Sequence, residues 1–174
     1  YYFSNATTTN RIRGNRTNLL PTGNTTTLDN RTTKSSSDGH AINMDFEIKV
    51  DSTLTFNINP SFNTNKSINS TLGADETFSE NGAVLNKNTT DNLWNSDEKD
   101  FKNNIYFYKR LKRKGRGISG TLTIRNFENN SDLNTLTSTR FFQTGNVDDD
   151  RNQFRNENEK INGFNVKLGY TEPL

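Results

Sequence analysis

Between residues 41 and 62 the chain alternates apolar and polar side chains. Ile42, Met44, Phe46, Ile48 and Val50 are interleaved with Asn43, Asp45, Glu47 and Lys49. After Asp51-Ser52 the beat resumes with Leu54, Phe56, Ile58 and Phe62 against Asn57, Asn59, Ser61 and Asn63. A period of two puts successive side chains on opposite faces, which predicts strands with one apolar and one polar face. Two such runs across a tight turn predict a hairpin. The pattern returns in "FKNNIYFYKRL" (101–111) and "ISGTLTIRNFE" (118–128), joined by "KRKGRG", and in the closing "INGFNVKLGYTEPL" (161–174). The first segment, residues 1–16, carries it weakly.

Three long polar stretches separate these segments: residues 19–39, 73–100 and 129–160, rich in Asn, Thr, Ser and Asp. Their composition reads as loop. Long and short connections therefore alternate along the chain. In a meander this gathers the short turns at one end and the long loops at the other, the asymmetry of outer-membrane barrels. The expectation is an all-β, antiparallel, up-and-down meander, about six strands of a larger transmembrane β-barrel.

Composition sharpens this picture. Only 28% of the 174 residues are hydrophobic, and the mean hydropathy is -0.97. Such a chain lacks the material for a large core, and disorder is one reading of it. The near balance of 22 Lys+Arg against 20 Asp+Glu, and the twelve Phe and five Tyr, argue against a plain solvated tail. A barrel wall needs apolar residues on its lipid side alone, so low hydrophobicity suits it. The chain has no Cys, hence no disulfide framework or thiolate site. No apolar run reaches the length of about 18 residues that a membrane helix needs. The opening "YYFSNATTT" and the closing "GYTEPL" read as cut ends, so residues 1–174 are expected to be an internal piece, with signal peptide and plug lying elsewhere.

Candidate chemistry is sparse, and no catalytic residue and no cofactor is predicted. Asp45, Glu47, Lys49, Arg125 and Lys167 lie opposite the apolar beat and are expected to face a lumen. Tyr1, Tyr2, Tyr106, Tyr108 and Tyr170 cluster near the short-turn end, as an interface girdle would. Asp148, Asp150 and Asn152 have the alternate spacing of a calcium loop, but Gln153 stands where Gly is needed. Trp94, the single Trp, is placed in a loop as a contact for a sugar or other ligand. His40, the single His, reads as opening a strand. The basic run around "KRLKRKGRG" reads as a solvated turn near headgroups rather than a nucleic-acid patch. Eight Asn-x-Ser/Thr sequons, Asn5, Asn15 and Asn24 among them, follow from the abundance of these residues.

A family resemblance adds to this. Residues 40–63, "HAINMDFEIKVDSTLTFNINPSFN", resemble a hairpin of the outer-membrane β-barrel proteins of Bacteroidota related to TonB-dependent receptors. "FYKRLKRKGRGISGTLT" is similar to that family's basic periplasmic turn, "FFQTGNVDDDRNQ" to a later loop, and "LGYTEPL" to a strand end. The resemblance covers most of the chain through degenerate, non-catalytic motifs. It implies a nutrient importer in the bacterial outer membrane, in contact with lipid. The remaining strands and plug of the same protein, TonB-type energy coupling and a surface lipoprotein would be its partners. Nucleic acid is not among them. The rival from another class is a secreted β-sandwich or adhesin-type carbohydrate-binding module.

Overall fold

The computed structural model describes residues 1–21, 23–143 and 145–173. Its strands are β1 (Tyr2–Asn18), β2 (Thr25–Asn43), β3 (Phe46–Lys49), β4 (Leu54–Ser79), β5 (Val84–Arg110), β6 (Gly117–Phe141) and β7 (Asp149–Thr171). Every pairing is antiparallel, and the order β1-β2-β4-β5-β6-β7, with β3 also on β4, is a meander. The sheet is not closed: β7 is one edge, and β1, with β3 below it, is the other.

Strands β2 and β3 are one strand with a break. Asn43 faces Ser61 and Phe46 faces Ile58, so the register runs through Met44-Asp45 without a bulge. The break lies opposite Pro60. Met44 donates its amide to the Pro60 carbonyl at 3.0 Å, but proline has no amide to return. One missing ladder bond is thus the physical cause of the interruption. Counted this way the panel has the six strands the alternation predicts.

The long polar stretches correct the loop expectation. They continue the strands: β5 runs for 27 residues, about 85 Å at the usual rise. The true connections are short at both ends. At the near end lie residues 50–53 and 111–116 and the end of β7, and at the far end the β1–β2, β4–β5 and β6–β7 connections; β1 begins at Tyr2 opposite Ala41, short of the near end. Cross-strand pairs of small polar side chains hold these extensions. Thr27 meets Thr77 at 3.1 Å, Thr33 meets Thr71 at 3.1 Å, Ser37 donates to Asn65 at 2.8 Å and Ser96 to Asn129 at 2.8 Å. Each such pair contributes about 0.2–1 kcal/mol. The far tip at Glu80-Asn81-Gly82 closes with Ser79 paired to Ala83 at 2.8 Å, and Gly82 adopts φ 82°. A left-handed third loop residue is what a three-residue hairpin requires.

The molecule is one layer thick. Among the described residues no hydrophobic side chain is buried. The accessible surface is 12491 Å², against about 8,600 Å² for a compact monomer of this mass. A β-sandwich buries its core between two packed sheets; here there is one sheet.

Candidate functional site: the two faces of the sheet

Because paired residues share a face, the register sorts every side chain. Four consecutive rows on one face carry no charged residue: Ile42–Phe62–Phe101–Asn126–Asn162, Met44–Pro60–Asn103–Ile124–Phe164, Phe46–Ile58–Ile105–Leu122–Val166, and Ile48–Phe56–Phe107–Gly120–Leu168. The row below, Leu54–Lys109–Ile118–Tyr170, brings the first cation. The row above, Phe3–His40–Thr64–Lys99–Glu128–Lys160, brings the next charges, with Lys160 on Glu128 at 3.0 Å. Leu54 to Phe62 spans about 26 Å along the strand, or about 20 Å of height at a tilt of about 40°. The nine residues from Leu54 to Phe62 also fit the length of about 9–11 that a tilted strand needs to cross a bilayer. The side chains of this band are open to the surroundings: Phe164 is 80% and Leu168 77% exposed.

Within the band the packing is cross-strand. Phe56 and Phe107 lie 6.1 Å apart between ring centroids. Gly120 is buried under Phe107, and a Cβ there would overlap that ring and come within 3.0 Å of Leu168. Asn103 is the polar exception between Phe101 and Ile105; its Oδ1 is enclosed without a hydrogen-bond partner, opposite Pro60.

The opposite face is polar. Asp45, Glu47, Lys49, Arg125 and Lys167 all fall on it, as their phase predicts. The row Glu47–Asn57–Tyr106–Thr121–Lys167 backs the apolar rows. Arg125 forms a two-pronged bond to Asp100, at 3.0 and 3.1 Å, and lies 5.3 Å from the Phe127 ring centre. Lys49 pairs with Glu47 at 3.0 Å. These are exposed pairs, worth about 0–1 kcal/mol each.

The aromatic girdle needs correction. Tyr1 and Tyr170 share the apolar face, whereas Tyr106, Tyr108 and Tyr2 are on the polar one. Their even phase in β5, against the odd phase of Phe101, Ile105 and Phe107, is the reason. Tyr108 instead covers buried Gly117, where a Cβ would come within 2.7 Å of its hydroxyl. Tyr1 donates to or accepts from His40 Nδ1 at 2.8 Å, and Phe3 lies 5.0 Å from the same ring. His40 therefore sits inside β2 in an aromatic cluster rather than starting the strand.

Two further candidates change context. Trp94 is in β5, half-buried on the polar face between Asn69 and Leu133, not in a loop. Asp148 and Asp150 do not converge on a cation position: Arg140 binds Asp150 with both prongs at 2.8 and 2.9 Å and reaches Asp148 at 3.6 Å. Asp148 also accepts the Phe141 amide at 3.0 Å. The Arg140 bond holds the Asp150 carboxyl below the usual carboxylate range. Asn152 lies on the same face as Asp150, opposite Leu136. No cluster of three or more His, Cys, Asp or Glu suited to a metal occurs among the described residues.

Sequence reading missed the latches at the near end. Asp51 Oδ1 accepts the Thr53 amide at 2.6 Å, the Thr53 hydroxyl at 2.6 Å and the Leu54 amide at 3.0 Å, and Lys109 approaches Oδ2 at 3.2 Å. These hold its carboxyl far below the usual range, the Thr53 hydroxyl contributing most. Asp two residues before Thr at a turn is the signal that would have found it. Glu172 receives Arg113 at 3.2 Å and Arg116 at 2.9 Å, and also the Tyr170 hydroxyl. No family model matches the chain, and none of the curated proteins compared with it does.

Proposed function

We propose that the chain is a wall segment of a bacterial outer-membrane β-barrel, in a nutrient importer like the TonB-dependent receptors. The observation that carries the membrane part is the run of charge-free rows backed by Asp45, Glu47, Lys49, Arg125 and Lys167. A soluble sheet hides its apolar face under a second layer; here the face is open, and hydrocarbon would cover it without one. The two free edges suit a panel continued by further strands, since open edges are not stable in a bilayer. The importer part rests on the family resemblance of residues 40–63, 107–123, 141–153 and 168–174. In this reading the polar face lines the barrel interior, and the Thr- and Asn-rich extensions rise about 50 Å beyond the band on the far side, from Thr64 to Ser79.

The absence of Cys makes a clean test available. Single cysteines at residues 55 to 62 are introduced into the chain refolded in lipid vesicles. The positions of Phe56, Ile58 and Phe62 should react poorly with a water-soluble maleimide and respond to a lipid-borne nitroxide quencher. Those of Asn57, Asn59 and Ser61 should do the reverse. Equal maleimide reactivity along the strand would defeat the membrane reading. Import is tested separately, by deleting the gene segment and measuring nutrient-limited growth.

A further inference from the structure

The near-end turn, residues 109–116, holds Lys109, Arg110, Lys112, Arg113, Lys114 and Arg116. It begins where the apolar band stops: Lys109 follows Phe107 on the same face, and Ile118 is its partner on β6. Leu111 donates to the Arg116 carbonyl at 3.0 Å and Arg116 to the Arg113 carbonyl at 3.1 Å, which closes the turn tightly and keeps its cations at the band's edge. Gly115, at φ 85°, lets the chain reverse there and packs on Pro173.

Among the described residues, two carboxylates answer these six cations. Asp51 takes Lys109 at 3.2 Å, and Glu172 takes Arg113 and Arg116. Arg110 turns to the Ser52 carbonyl. Lys112 and Lys114 are exposed and make no ion pair among the described residues. Six positive charges less two negative leave four. The far-end connections, 19–24, 80–83 and 142–148, contain no Lys or Arg, and carry Glu80 and Asp148 instead. Among the connections between strands, Lys and Arg therefore occur at the near end alone, at the level where a bilayer's headgroups would begin.

We infer that the 109–116 turn docks on the phosphate groups of anionic phospholipids in the leaflet at the near end, with Lys112 and Lys114 as the free cations that bind them. This rests on the membrane reading above. Basic residues beside an apolar membrane segment gain from an anionic surface additively and lose the gain within a Debye length as salt rises. Arg113 and Arg116, held by Glu172, fix the turn against the end of β7 and present the two lysines outward. The occupant follows from continuity with the band: the cations border a lipid-facing surface, whereas an RNA would need a groove of stacking rings beside them, and Tyr106 and Tyr108 lie on the other face.

Flotation of the chain with vesicles of neutral phosphatidylcholine, and of the same lipid with added phosphatidylglycerol, tests the inference. Tighter binding to the anionic vesicles is expected, falling roughly 25-fold in K112Q/K114Q, at about fivefold per cation, and converging with the neutral vesicles in high salt. K34Q/R11Q, which removes two cations from the polar extensions, should leave the preference intact. Equal binding to both vesicles, or an unchanged preference in K112Q/K114Q, overturns the inference while leaving the membrane reading standing. No flotation with either vesicle overturns both. Displacement by inorganic phosphate at equal charge, or tighter binding to single-stranded RNA than to anionic vesicles, also overturns it.

Discussion

Ile58 is the centre of the apolar band, in the row with Phe46, Ile105, Leu122 and Val166, and its replacement by Lys is the sharpest perturbation of the reading. If hydrocarbon covers this row, a lysine at mid-depth costs about 2–4 kcal/mol, and one at the interface about 0–1 kcal/mol. Ile68 provides the matched control on the same strand and face. It is 52% exposed and lies about 33 Å further along β4, beyond the charged row at Lys99. The difference between I58K and I68K should then be about 2–3 kcal/mol, roughly 30- to 150-fold in the folding equilibrium. Asn57, next in sequence and facing Glu47 on the polar side, gives the second control: N57K should be neutral or slightly favourable. Urea titration of the vesicle-folded chain, followed by far-UV circular dichroism and by gel mobility without heating, measures all three. Equal costs for I58K and I68K, or a larger cost for N57K, would refute the claim that lipid touches this face.

Four other outcomes follow from named contacts. Replacing Gly120 by Ala drives a methyl into the Phe107 ring and should cost about 1–3 kcal/mol, recovered in part in G120A/F107A; additive losses in a double-mutant cycle would show that the ring is not the cause. Pro60→Ala restores an amide donor facing the Met44 carbonyl, a gain of about 0.5–1.5 kcal/mol largely offset by about 0.4–1 kcal/mol of unfolded-chain entropy, so the reading is hydrogen exchange: the new amide should be protected, and fast exchange would refute the account of the β2–β3 break. Asp51 has a folded pKa below its unfolded value of about 3.9, so its contribution is complete above about pH 4 and is lost only as pH falls through the depressed folded value; protection of the Thr53 and Leu54 amides should be flat above pH 4 and abolished by D51A at every pH. Millimolar calcium should leave the melting temperature unchanged, because Arg140 already occupies Asp148 and Asp150, and a calcium-dependent rise would overturn that assignment.

Which residues share a face was legible in the sequence, because side-chain direction in a strand depends only on the parity of position. That is why the phase of residues 42–62, 118–128 and 161–170 put Glu47, Lys49, Arg125 and Lys167 on the polar face. The same parity, applied strictly, would have removed Tyr106 and Tyr108 from the girdle. The extensions were not legible: their apolar residues, such as Ile68, Leu72, Leu93 and Leu136, are too scattered among polar ones to give the alternation that marks a strand, and their order comes from backbone pairing with neighbours such as β2 on β4 and β5 on β6. Register likewise belongs to the tertiary structure alone. It unites Phe46, Ile58, Ile105, Leu122 and Val166 in one row, joins Arg125 to Asp100 and Arg140 to Asp150, and puts Pro60 across from Met44. Parity is a local property of the chain, whereas a row is made by hydrogen bonds between strands that only folding brings side by side.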